Sequence, residues 1–187
     1  MTPLGPAARR EWLVLAIVVG AMAAAPLVLT GGPERTLLMR FMIFALLGVF
    51  WNLSSGIGGQ FSFGHAAYFG IGAYTAAFLN VDHAVNPWLA AVAAAILAGA
   101  AGVLIGWLTF RYRLKGPYFA LATFAIAELL RLLVVRFEPL HAGVGYRMPL
   151  APDSGWDVLQ FAPSDPEYYF LALAMLAGAL AMTIAIL

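Results

Sequence analysis

The sequence predicts an all-α integral membrane protein with about six hydrophobic segments and a glycine-broken or re-entrant connection between the second and the third. Three observations predict it. Hydrophobic residues make up 63% of the chain and charged residues only 10%, where a soluble domain is roughly half apolar and about a quarter charged. Apolar runs near the length of a bilayer span, about 20 residues, follow one another along the chain. Residues 52–79, NLSSGIGGQFSFGHAAYFGIGAYTAAFL, are hydrophobic enough for a bilayer yet open with a glycine-rich loop carrying Gln60, Ser62 and His65. Such groups are expensive against lipid, so they are expected to face protein or water, which points to transport.

The segments follow from apolar length and from the breakers between them. Residues 12–29 form a first span ending in Pro26 and the turn Gly31-Gly32-Pro33, and residues 37–53 a second, interrupted by Arg40. Arg9-Arg10, an apolar core and Ala23-Ala24-Ala25 also fit a secretory signal, although Pro26 directly after the small residues disfavours cleavage there. Residues 61–79 form a third span. Residues 88–110 form a fourth, bounded by Asn86-Pro87 and by the basic run Arg111, Arg113 and Lys115. A fifth runs over 118–137 and carries Glu128 and Arg131. After a polar, proline-bearing loop at 138–167, the sixth starts at Tyr168 and is still apolar at Leu187. The whole of 1–187 reads as one transmembrane domain.

Charge sets the expected orientation, because short cytoplasmic loops concentrate Lys and Arg. Arg9 and Arg10 place the N-terminus inside; four crossings later Arg111, Arg113 and Lys115 fall inside too. The loop 138–167 is then external, and its Asp153, Asp157, Asp165 and Glu167 outnumber Arg147. Its turn pairs Ala162-Pro163 and Asp165-Pro166 suit either an ordered cap or a flexible connector. The net charge of +1 and the scattered basic residues make no case for nucleic acid. No cysteine is present, so thiolate chemistry and disulfides are excluded. Three dispersed histidines at no ligand-like spacing predict no metal site.

Small residues recur every four positions at Ala98, Gly102 and Gly106, and Ala66, Gly70, Ala73 and Ala77 set a similar face, so each set marks a helix face suited to close packing. Gly56, Gly58 and Gly59 weaken the helix where the second span should end, and Ser62 is placed to cap the next helix. A helix N-terminus beside a flexible loop would direct positive dipole character toward an anionic group. His65 should lie near that opening, either as a translocation residue or as a histidine bonded between helices. Glu128 and Arg131 are three residues apart on one helix face, and Glu128 lies about 15 Å along the helix from Tyr118, near mid-membrane. Mutual pairing is the economical arrangement, whether for packing or for conformational switching.

The segment WNLSSGIGGQFSFGHAAYFGIGAYTAAFL, followed by RLKGPYFALATFAIAELLRLL, closely resembles the permeases of bacterial branched-chain amino acid ABC importers of the LIV type, in particular their M-subunit branch. The similarity spans residues 52–136. It implies an inner-membrane permease that pairs with a second homologous permease, receives a hydrophobic amino acid from a periplasmic binding protein, and is driven by two cytoplasmic ATPases. It also implies that residues 56–62 with His65 and Tyr68, and residues 116–131, line or support the pathway. ATP would bind on the partner subunits, and no cofactor is expected here: there is no Gly-x-x-x-x-Gly-Lys-Ser/Thr motif and Lys115 is the only lysine.

Two departures stand out. HAGVGYRMP replaces the family's Gly-Gly-rich stretch after the fifth span, and the chain ends before the cytoplasmic segment through which such permeases grip the ATPase, as a C-terminally truncated product would. Two other classes stay open. One is an ion- or proton-coupled carrier or channel relaying through Glu128, Arg131 and His65. The other is an intramembrane hydrolase using Ser62 and His65, for which no nucleophile elbow is evident.

Overall fold

A computed structural model describes residues 6–28, 32–148, 155–161 and 166–186. It is all-helical apart from one isolated bridge between Gly155 and Gln160. Six long helices run in order: α1 (Pro6–Val28), α2 (Gly32–Asn52), α3 (His65–Val81), α4 (Pro87–Arg111), α5 (Pro117–Arg136) and α6 (Glu167–Ile186). A π-helical turn, Leu53–Ile57, extends α2, and a 3-10 helix, Glu138–Gly143, follows α5. Five of the segments are long and apolar enough to cross a membrane. The exception is α3, whose 17 residues reach about 26 Å against a hydrocarbon core of about 30 Å.

Several expected boundaries move. The second helix starts at Gly32-Pro33 and passes Arg40 without a break, leaving that side chain exposed. The third begins at His65 rather than Phe61, and the sixth at Glu167. Asp153, Ala162-Pro163 and Asp165 lie outside the described residues.

The chain forms two compact units. In the first, α6 packs on α1 and α2 around Met42, Tyr169, Leu173 and Leu176. Pro26 does not end α1 but sits inside its last turn. Proline has no N–H, so the carbonyl four residues back, Met22, lacks its helical donor. The Tyr169 hydroxyl supplies one at 2.6 Å. Arg35 Nη2 donates to the Pro26 carbonyl at 3.2 Å and so covers the end of the helix.

The second unit comprises α3, α4, α5 and their loops. Along α4, Ala90, Ala94, Ile105 and Thr109 are buried, and Gly102 faces the Tyr68 ring of α3. The small-residue face expected on α3 divides: Ala77 is buried, whereas Ala66 and Ala73 are exposed on this chain. Within its described residues, the loop after α5 takes the ordered alternative. The Tyr146 hydroxyl is 3.0 Å from Asp82 Oδ2 at the end of α3 and 3.1 Å from the Pro139 carbonyl. Trp88 Nε1 donates to the Trp156 carbonyl at 2.8 Å, and Asn86 Nδ2 to the Asp157 carbonyl at 3.3 Å, both at the start of α4. Burial, and then the neighbouring Asp82 carboxylate, push the Tyr146 hydroxyl up to about 12.

Candidate functional site

The broken connection into α3 is held by a threonine that the sequence reading passed over. Thr123, 2% exposed on α5, donates its hydroxyl proton to the Ala120 carbonyl at 3.0 Å and accepts the Phe63 N–H at 3.2 Å. Thr123 lies six residues beyond Pro117, so this anchor sits about 9 Å along a helix of about 30 Å. The loop therefore dips alongside α5 rather than skirting its end. Gly64 makes the approach possible: a Cβ on it would stand 3.3 Å from both the Cβ and the carbonyl oxygen of Thr123.

Ser62 does not cap α3. The cap residue is Gly64, which makes no side-chain capping bond, and its N–H donates instead to Ser62 Oγ at 3.2 Å. The hydroxyl is thus used inside the turn, two residues too early to reach the first helical amides, and Ser62 is buried. His65 is the first helical residue rather than the third beyond a cap. Its Nε2 lies 3.4 Å from Ser54 Oγ, and its ring meets Tyr68 edge-on at 6.0 Å. The Ser62 hydroxyl thus meets the Gly64 N–H, and His65 Nε2 lies against Ser54 Oγ.

Gly59 takes φ of +64°, a left-handed geometry that favours glycine, and lets the chain reverse so that the Gln60 N–H reaches the Ser54 carbonyl at 3.0 Å. Gly56 and Gly58 are exposed beside it. Three polar atoms of this stretch, Ser55 Oγ, Gln60 Oε1 and His65 Nδ1, are buried with no hydrogen-bond partner among the described residues. Buried polar atoms are almost always satisfied, so three unmet ones in one loop mark a place for water or solute.

Glu128 and Arg131 form the expected pair, bidentate at 2.6 and 2.8 Å. Both side chains are open, 42% for Glu128 and 60% for Arg131. Glu128 lies about 140° around α5 from Thr123. It is thus directed away from the loop that holds Gln60, Ser62 and His65, and Tyr68 alone of the other candidates lies with that group. Ser54, Ser55 and Thr123 carried no signal of their own: serine and threonine are ordinary in membrane helices until tertiary contact singles them out.

Residues 35–145 match the family model described as the branched-chain amino acid transport system permease component. The chain belongs to that family. As a member of a transport permease family it is a multi-pass membrane protein and not a catalytic enzyme. It is 27% identical to the high-affinity branched-chain amino acid transport system permease protein LivM of Escherichia coli (strain K12), over 95% of this chain and 45% of that protein. Identity to LivM of Salmonella typhimurium (strain LT2) is 26% over the same shares. The chain thus spans less than half the length of these relatives. No solved structure matches it. The family match covers the broken loop, α3 and α4, and Thr123, but ends before Tyr146 in the loop after α5.

Proposed function

We propose that this chain is a membrane-spanning permease subunit of an ABC importer that carries branched-chain or related hydrophobic amino acids into the cytoplasm. The observation that carries this reading is the polar loop seated against Thr123, with Ser55 Oγ, Gln60 Oε1 and His65 Nδ1 left for a passing solute or its water. Family membership supplies the substrate class.

In this reading the N-terminus and the turn bearing Arg111, Arg113 and Lys115 are cytoplasmic and the membrane is the bacterial inner one. A second, homologous permease completes the route. A periplasmic binding protein delivers the amino acid, and two ATPases on the cytoplasmic side supply the energy. Gln60, Ser62, His65 and Tyr68 line or support the route; Glu128 and Arg131 sit on an outward face where a neighbouring subunit or lipid meets α5.

The test is uptake of radiolabelled leucine by cells with and without the gene. Uptake lost on deletion, dependent on a binding protein, abolished by ATP depletion and resistant to an uncoupler is the expected result. Uptake that collapses with the uncoupler while ATP is maintained would refute the ABC reading in favour of a proton-coupled carrier.

A further inference from the structure

We infer that the turn between α4 and α5, together with the apolar groove beside it, binds an anionic phospholipid. The groove, of about 420 Å³, is walled by Phe61 and Phe63 of the broken loop and by Gly116, Pro117, Ala120 and Leu121 at the start of α5. Its lining is entirely apolar, and the Leu121, Phe61 and Phe63 side chains are exposed around it. Lys115, immediately before Gly116 of the groove, completes a run of three cations with Arg111 and Arg113. All three are exposed. None is ion-paired among the described residues; Arg111 rests 5.4 Å from the Trp107 ring centroid, an aromatic suited to the headgroup level.

An acyl chain and an anionic headgroup are the complement of that surface: an apolar groove, and three exposed cations in the turn that leads into it, at the end of two membrane-spanning helices. A peptide or second copy would need acidic groups placed against the turn, and in this chain the acidic residues cluster instead in the loop 138–167.

Arg113 gives the test its discrimination. The Leu114 N–H bonds to the Thr109 carbonyl and the Arg113 N–H to the Phe110 carbonyl, a Schellman closure of α4 with Arg113 in the left-handed position at φ of +53°. Glycine is the residue that this position favours, so Arg113→Gly removes a charge while easing the backbone.

The full chain in detergent micelles is titrated with phosphatidylglycerol or with phosphatidylcholine of the same acyl chains, and retained lipids are counted by native mass spectrometry. Phosphatidylglycerol should be preferred by about a hundredfold, the product of roughly fivefold for each of three cations. That preference should fall roughly fivefold for each of Arg111→Gln, Arg113→Gly and Lys115→Gln, with the Arg113→Gly protein at least as heat-stable as the wild type. Leu121→Trp, which fills the groove, should weaken both lipids. Unchanged phosphatidylglycerol preference in the triple variant would overturn the inference. So would competition by glycerol phosphate at the same concentration as the lipid, which would mean that the groove contributes nothing. Lipid-independent disulfide dimers of Leu121→Cys, in a chain otherwise without cysteine, would assign the groove to a second copy and overturn it as well.

Discussion

Replacing Tyr169 by phenylalanine removes one oxygen and leaves the packing around Met42, Leu173 and Leu176 nearly unchanged in volume. What it takes away is the hydroxyl that donates to the Met22 carbonyl, which Pro26 has already deprived of its helical donor. A buried acceptor left unmet costs about 1–3 kcal/mol. Hydrogen bonds between membrane helices average about 0.6 and reach about 1.7 kcal/mol, because the groups find substitutes. Here the natural substitute, the N–H of residue 26, does not exist, so the loss should fall near the upper end: about 1.4 kcal/mol, or roughly tenfold in the unfolding equilibrium. Pro26→Ala restores that N–H and should reduce the effect of Tyr169→Phe to below about 0.5 kcal/mol. The four proteins of this cycle, unfolded reversibly by sodium dodecyl sulfate in mixed micelles, should show a coupling of about 1 kcal/mol between the two positions. Equal losses in the proline and alanine backgrounds would refute the reasoning.

Gly64→Ala should push the broken loop off α5 and lower stability by about 1–3 kcal/mol, since both atoms it meets at 3.3 Å belong to a stiff helical threonine; thermal unfolding and leucine uptake measure it. Thr123→Val strips the acceptor from the Phe63 N–H at nearly constant volume and should reduce uptake, while Thr123→Ser should retain it; equal uptake in both variants would disprove the anchoring role. Glu128→Gln leaves Arg131 without its bidentate partner on a membrane-spanning helix and should lower uptake, whereas wild-type uptake at normal protein level would eliminate a switching role for the pair. The raised Tyr146 hydroxyl favours the protonated form in the folded chain. Its contribution to stability is complete below the ordinary tyrosine value of about 10 and is lost as pH rises through about 12. Ultraviolet titration of the wild type and of Tyr146→Phe should differ by one late-ionising tyrosine.

What was legible in the sequence was local. Apolar length and breakers placed six helices because each helix is defined by neighbours a few residues away. The Glu128–Arg131 pair was readable because three residues on a helix are adjacent by geometry. The glycine-broken link was readable because Gly56, Gly58 and Gly59 lower helix propensity wherever they stand. Ser62 misled because a serine before a helix fits a cap equally well at any of several registers, and only the bond from Gly64 shows that the turn uses the hydroxyl two residues early. Thr123 with Phe63, Tyr169 with Met22 and Tyr146 with Asp82 join residues 60, 147 and 64 positions apart. No period or spacing in the sequence encodes such meetings, and Thr123 is one ordinary residue in an apolar helix until its partner arrives.

The loop after α5 touches α3 through Tyr146 and α4 through Trp156 and Asp157. These are separate fastenings at the neighbouring ends of α3 and α4, so splaying either end costs the hydrogen bonds made there. Amide exchange at Asp82 and at residues 88–90 should therefore be slow, and loosening a fastening should quicken exchange at the helix end that it holds.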